Sequence, residues 1–589
     1  MFTALTEDQL KTKKNYIESY VAAANPASGS LFDSNANVTS KNIATLEGEV
    51  NKDINIQVNR SLMTDKLKEL YDEETANKYL ELLKNHVIYT HDESGLSPYC
   101  ASISMYPFLL EGMQSLGGES KAPKHLASFC GSFVNLVFAV SSQICGASAT
   151  VEWLMYFDYF ARKDFGDNYL ETHKKTIEDW MQHVVYCLNQ PAAARNYQSV
   201  FWNISIFDKF YFDAMFGDFV FPDMTKPSYE SLDKLQRFFM TWFNKEREET
   251  LLTFPVVTAA LLTKDGKPRD KDLVSFLAKE MEEGNSFFIY MSDNADSLSS
   301  CCRLRSEVAD NTFSYSLGAG GVSTGSLNVI TINLNRVIQQ GYDLEQIIRD
   351  VHKFQIAYRE VFKVFKDAGM LPIYDAGYID DKKQFLTLGI NGLVEAAEYL
   401  GIEPTNNSDY RNFVRKITTT FYTLNREASK ATGLKFNTEM VPAENLGVKN
   451  AKWDRKSNLQ VNRDCYNSYF YRVEDKNNVF DLFSLYSKEF TENLDGGSAL
   501  HLNLQDHLTR TQYESLFDLA ASLGCSYWCV NVLTSICDNC NKISKGVVNR
   551  CSNCGSMQID YATRIIGYLK KISSWSSDRK KEASKRTYH

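Results

Sequence analysis

Proline is scarce, at 12 of 589 residues, so the chain has no Pro-rich linker to hold domains apart. No charged-then-apolar leader opens it; it starts Met1-Phe2-Thr3 and soon turns polar. No uninterrupted run of about 20 apolar residues occurs, as a membrane span would need. The most apolar stretch, Phe133 to Phe157, carries Asn135, Gln143 and Glu152 and is broken by Gly146, so it reads as a buried core helix. These absences give a cytoplasmic location as the expectation. Positive charge is not in excess either. The 64 Lys and Arg face 73 Asp and Glu, a formal charge of -9, which is a poor basis for gripping nucleic-acid backbones. Internal repeats and low-complexity tracts are also lacking.

What is present fits a large soluble protein. Apolar residues at 44% and charged residues at 23% exclude a disordered chain, a collagen and a coiled-coil rod. The 32 Tyr and 36 Phe supply a large core. The length allows two to four ordinary domains, or one large barrel with additions. Residues 1–60 are polar and read as surface helices, and 61–90 have helical spacing. From 200 onward, β-rich runs (Val200–Ile204, Leu252–Val257, Asn328–Asn333) alternate with helical stretches (Ser228–Arg247, Asp270–Gly284, Leu344–Ala368). That alternation predicts an α/β architecture with parallel strands.

The 13 cysteines are an odd number. Without a secretory leader they read as reduced thiols, metal ligands or catalytic groups. Cys537-Asp538-Asn539-Cys540 and Cys551-Ser552-Asn553-Cys554 form two CxxC knuckles ten residues apart. Four such thiolates surround one tetrahedral Zn²⁺, and a closed set of four protein ligands makes the site structural. The alternative is a redox dithiol pair or free buried cysteines.

After the second knuckle comes Arg564-Ile565-Ile566-Gly567-Tyr568. A zinc ribbon followed by Arg-x-x-Gly-Tyr near the C-terminus resembles the glycyl radical segment of anaerobic (class III) ribonucleotide reductases. Further segments resemble that family in order: Asn35-Ala36-Asn37, His91-Asp92, Gln143 to Gly146, Arg195 to Asn203, Ser300-Cys301-Cys302-Arg303, Pro442-Ala443-Glu444-Asn445 and Gly496 to His501. The resemblance implies a ten-stranded α/β barrel of two parallel half-barrels around a central finger loop, with a C-terminal zinc ribbon and a glycyl radical loop. The expected divisions are an N-terminal helical segment (1–60), the barrel (61–524) with its finger near 295–326, a Cys₄ ribbon (525–560) and the radical segment (561–589). The Asn-Ala-Asn segment starts at residue 35, which leaves no room for a full ATP-cone before it.

The implied activity is anaerobic reduction of ribonucleoside triphosphates to deoxyribonucleoside triphosphates for DNA synthesis. Gly567 would carry the stored radical, since a centre without a side chain can flatten without a clash. A finger-loop cysteine would become the thiyl. Cys301 and Cys302 are adjacent and point to opposite faces in an extended loop; Cys302 is favoured because Arg303 follows it, as in the family's Cys-Arg pattern. Cys100 is the candidate second thiol, although a gap-free alignment from His91-Asp92 puts the family's cysteine nearer Ser104; the alternative is a core cysteine. Pro442, Ala443 and Asn445 would present amides and a side chain to substrate, with Glu444 at a hydroxyl or the thiyl region; the alternative is a helix cap. Ser326, at the end of the glycine-rich return Gly318–Gly325, would lie near the active site. His91 is either catalytic or a structural hydrogen-bonder. Cys537, Cys540, Cys551 and Cys554 would bind Zn²⁺.

The implied partners are ribonucleoside triphosphates, dNTP effectors, a second copy in a homodimer, and an activating enzyme of the radical-SAM type with a 4Fe-4S cluster and S-adenosylmethionine. The reductant is formate or a thiol redox protein, because the asparagine that some members pair with formate is not evident here. No membrane or nucleic-acid partner is expected. The basic tail Arg579–Arg586 reads as a solvated helix end or as a contact for the activating enzyme. Two other readings compete. One is another glycyl radical enzyme resembling formate acetyltransferase, which suits the vicinal Cys301-Cys302 but lacks the ribbon. The other is a non-catalytic zinc-ribbon binding protein.

Overall fold

The computed structural model describes residues 5–29, 41–192 except 115, 117 and 119, 198–295, 297–299, 305–307, 323–441, 445–564, 567 and 569–589. The Asn35–Asn37 segment, Arg195–Tyr197, Cys301, Cys302, Arg303 and Pro442–Glu444 lie outside these.

Ten strands build the centre: β1 (Cys100–Ser102), β2 (Ser148–Ala149), β3 (Trp202–Phe207), β4 (Val256–Lys264), β5 (Phe288–Ser292), β6 (Thr324–Asn333), β7 (Gln384–Asn391), β8 (Lys435–Met440), β9 (Leu500–Asn503) and β10 (Tyr527–Asn531). β1 to β5 lie side by side in chain order, each parallel to the next. β6 to β8 are likewise parallel, and so are β9 and β10. A parallel bridge from Glu439 in β8 to Gly497, just ahead of β9, joins these two groups. The two sets of five then meet antiparallel at two seams, β1 with β6 and β5 with β10. The result is a closed ring of two parallel half-barrels.

Parallel strands covered on both faces need continuous apolar or small residues. β4 begins Val-Val-Thr-Ala-Ala-Leu-Leu, and β6 and β7 are buried along their whole length. Helices cover the outside. Leu344–Asp367 puts Ile347, Ile348, Val351 and Phe354 at helical spacing into the same apolar core as Leu386 and Leu388 of β7. β5 and β6 stand opposite each other in the ring. The connection between them, 293–323, therefore has to link opposite walls. Within it, 297–299 and 305–307 pair as an antiparallel hairpin.

Phe133 to Phe157 is largely buried, with Asn135 and Ser142 exposed, but is not one helix. It spans the end of Leu126–Ser141, the strand β2 and the start of Trp153–Phe165. The break follows from Gly146, whose N–H donates to the Tyr99 carbonyl at 2.6 Å and steers the chain into β2 beside β1. Among the described residues, no helix is long and apolar enough to cross a membrane. The helix Ile43–Leu70 runs across position 60.

Candidate functional site

At the β1–β6 seam, Cys100 lies directly opposite Ser326. Cys100 is 4% exposed, and its Sγ accepts the Ala147 N–H at 3.3 Å. A Cβ on Gly146 would lie 2.7 Å from that sulfur and 2.8 Å from the Tyr99 carbonyl oxygen, so only glycine fits against the thiol. Ser326 Oγ is 2.8 Å from Thr387 Oγ1 and donates to the Asn328 carbonyl at 3.2 Å. Thr387 on β7 stands opposite Asn437 on β8. Cys100, Ser326, Thr387 and Asn437 thus form a polar row across four neighbouring strands, on the face away from Leu386 and Leu388. Asn437 is fully buried, and neither of its side-chain polar atoms has a partner among the described residues. A buried amide left so is expensive unless something else satisfies it.

His91 is half-buried beside this row. Its Nε2 is 2.8 Å from Thr331 Oγ1 on β6, and Tyr89 and Tyr99 meet its ring edge-on at 5.1 and 5.8 Å. Asn445 sits at the start of the helix Leu446–Lys456, but its side chain makes no capping bond to that helix.

The ribbon follows β10. Strands β11 (Thr534–Cys537), β12 (Ile543–Lys545), β13 (Ile559–Arg564) and β14 (Leu569–Lys571) pair in the order β12-β11-β13-β14. The sulfurs of Cys537, Cys540, Cys551 and Cys554 all lie within 4.8 Å of one another. Cys537 faces Cys554 at 3.5 Å, and Cys540 faces Cys551 at 3.5 Å. Tetrahedral zinc with bonds of about 2.3 Å needs sulfurs about 3.8 Å apart, so the donor set fits the metal. The Asn539 amide above all draws the Cys554 thiol down to about 6, and the Cys554 backbone N–H leads in lowering Cys551. These two shifts favour the thiolate form that binds a cation, while burial pushes the Cys537 thiol up to about 11.

β13 and β14 make a hairpin closed by the Arg564–Leu569 pair, with Gly567 buried at its tip. β13 also pairs along β11, so the position 560/561 falls inside one strand and the ribbon and radical segment share a sheet. Lys571 reaches Asp538 of the first knuckle at 3.3 Å. The hairpin docks at the β5–β10 seam, where the buried Arg564 guanidinium stacks on Phe288 at 4.8 Å and Thr253 Oγ1 donates to the Leu569 carbonyl at 3.3 Å.

The basic tail is only in part a solvated helix end: Lys581 and Lys585 are exposed, but its arginines are not. Arg579 and Arg586 are buried in and just after the helix Ser577–Lys585. Arg586 grips both oxygens of Glu582 at 2.8 and 3.0 Å and donates to the Arg564 carbonyl at 2.9 Å. The chain end follows it in: the His589 N–H donates to the Asn503 carbonyl on β9 at 3.0 Å. A run of charges reads as solvated unless its partners are known. Here the partners lie at Glu582, four residues back, and on the hairpin at Arg564.

The sequence matches the family model of anaerobic ribonucleoside-triphosphate reductase over residues 49–589. The chain belongs to that family. A solved anaerobic ribonucleotide reductase is 27% identical, with a TM-score of 0.85 over 99% of this chain and 92% of its own. The Thermotoga maritima enzyme in complex with dATP and CTP is 25% identical, with a TM-score of 0.84 over 99% of this chain and 100% of its own. The same enzyme with dATP bound in its specificity site is 25% identical, with a TM-score of 0.81 and 98% and 100% covered. No curated protein is similar enough in sequence to match. The reductase is an oxidoreductase of anaerobic nucleotide reduction in a glycyl radical family, built on the expected barrel. The formate acetyltransferase-like and non-catalytic readings are set aside.

Proposed function

We propose that Gly567 stores the radical and that Cys302 is the thiyl that starts reduction. The observation that carries this is the position of Gly567. It is buried at the tip of a hairpin that rides on the Cys₄ ribbon and docks on the barrel wall. The Gly567 Cα radical takes hydrogen from the Cys302 thiol, and the thiyl takes the 3′-hydrogen of the ribose. The 2′-hydroxyl gains a proton and leaves as water. Two electrons and a proton complete C2′ from the reductant side, and the 3′-hydrogen returns from Cys302. Cys100 is the second thiol, on the wall that also presents Ser326, Thr387 and Asn437. Cys301, its neighbour in the chain, is not the thiyl.

Pro442, Ala443 and Asn445 hold the nucleotide, Glu444 meets a hydroxyl or the thiyl region, and His91 orients Thr331 further along β6 from Ser326. Cys537, Cys540, Cys551 and Cys554 hold zinc, which supplies a rigid base for the hairpin. Ribonucleoside triphosphates are the substrates and dNTPs the effectors; the relative bound to dATP and CTP supports both. A homodimer, a radical-SAM activating enzyme with a 4Fe-4S cluster and S-adenosylmethionine, and formate or a thiol redox protein as reductant complete the system. The barrel ends after β10 rather than at 524, the ribbon and the radical segment follow it as one sheet, and the protein works in the cytoplasm.

The test is anaerobic turnover of CTP by activated protein carrying Cys302→Ser or Cys100→Ser. Both variants lose dCTP formation while keeping the radical. Normal turnover in either refutes that residue's role.

A further inference from the structure

Between the radical hairpin and the barrel lies a cavity of about 40 Å³, lined by Arg247, Arg564, Ser286, Asn285, His507 and Asn531 among others. Two guanidinium groups meet there on one residue. Arg247 Nη1 donates to the Ser286 carbonyl at 2.9 Å, and Arg564 Nη1 donates to Ser286 Oγ. Arg247 also donates through Nε to the Leu252 carbonyl at 3.2 Å and stacks on Phe243 at 4.0 Å. Neither arginine forms an ion pair among the described residues. Arg564 is 5% exposed, and its Nε has no partner there. His507 Nδ1, on the same cavity, is buried and also without one. The nearest lysine, Lys545, is already engaged by Glu248 at 2.7 Å and the Glu283 carbonyl at 3.1 Å.

Two like charges brought together out of water are costly, and buried charges are as a rule paired. The stress is visible in both groups. Burial, and then the neighbouring Arg564, lower Arg247 to about 9, and burial lowers Arg564. No carboxylate of the described chain relieves it. An anion entering the cavity would, with Arg564 Nε–H as the waiting donor. Size selects the anion. One water needs about 10–15 Å³ of such space, so the cavity takes about three or four heavy atoms.

We propose that this cavity is a binding site for a small planar oxyanion, of the class of nitrate, formate or bicarbonate, that bridges Arg247 of the barrel to Arg564 of the radical hairpin. The anion neutralises the pair and fastens the hairpin three residues before Gly567. The site does not depend on the radical, so its test uses the full-length protein before activation.

The experiment is calorimetric titration of the zinc-loaded protein with sodium nitrate, formate and bicarbonate, at constant ionic strength in chloride, with sulfate as the oversized anion. At least one planar anion binds saturably, with one site per chain, and sulfate does not. Arg247→Gln weakens that binding roughly tenfold or more, as expected for losing a charge-assisted hydrogen bond. Lys545→Met, at the rim, leaves it within about threefold. No saturable heat with any of the three anions in the wild-type protein overturns the proposal, whether or not Arg247→Gln folds. Equal affinity in a folded Arg247→Gln also overturns it, because the anion then sits elsewhere.

Discussion

Replacing Arg586 by methionine keeps much of the side chain's bulk and removes its charge. In the native protein this guanidinium is bidentate on Glu582, donates to the Arg564 carbonyl and packs over Trp575 at 5.2 Å. The side chains of Arg586 and Glu582 are 2% and 9% exposed, so water screens little of the interaction. Burial pushes the Glu582 carboxyl up, but Arg586 and Arg579 outweigh it and hold the group below its usual range. Breaking a buried pair costs about 3–5 kcal/mol. Arg579 still reaches Glu582 at 3.1 Å in the variant, which places the loss near the low end, about 3 kcal/mol. At 1.4 kcal/mol per factor of ten, that opens the docked tail and hairpin roughly 100-fold more often. Hydrogen exchange reads this directly. Amides of β13 and β14 exchange roughly 100-fold faster in Arg586→Met, while those of β7 do not change. Lys581→Met, which removes an exposed pair with Asp578, has no such effect because exposed pairs contribute about 0–1 kcal/mol. Unaltered hairpin exchange in Arg586→Met would refute the clasp.

Two further outcomes follow from the same geometry. Burial lifts the Glu152 carboxyl from its ordinary 4.5 to about 7, with the Met105 N–H pulling partly back. The folded state therefore holds this proton more tightly than the unfolded chain. Stability falls as pH rises from about 4.5 to about 7, by about 3 kcal/mol in all. Urea unfolding should find Glu152→Gln more stable than wild type at pH 8 and close to it near pH 4.5; equal pH profiles would refute the assignment. Cys551→Ser removes one of four thiolates, so metal analysis should find well under one zinc per chain, together with faster exchange in β13; full zinc retention would refute the ribbon.

How much of this was legible in the sequence depended on the range of the interactions. The CxxC spacing is local, and the four sulfurs converge as the knuckles predict. The helices at Leu344–Asp367 and Tyr229–Glu249 follow from their periodicity to within a turn. The barrel itself came from the resemblance, because its closure rests on contacts without local pattern. β2 is two residues long, and the ring is completed by one bridge at Glu439. Gly146 was legible as a break but not as the wall against Cys100, which only the β1–β2 pairing creates. Asn437 is an ordinary polar residue in a strand until its neighbours are known to leave its amide unmet. The tail was misread for the same reason: Arg586 is exposed by composition and buried by a carbonyl on another element. The finger cysteines and Pro442–Glu444 lie outside the described residues, so their roles rest on the family pattern.

The central claim is that Gly567 carries the radical, and anaerobic electron paramagnetic resonance tests it most directly. Protein treated with a cognate activating enzyme, S-adenosylmethionine and a reductant should give a doublet from the one remaining α-hydrogen of the glycyl radical. That doublet should collapse when the protein is made with α-deuterated glycine, and Gly567→Ala should give no signal. An undiminished doublet in Gly567→Ala, or no signal in wild type with its cognate activase, would contradict the account.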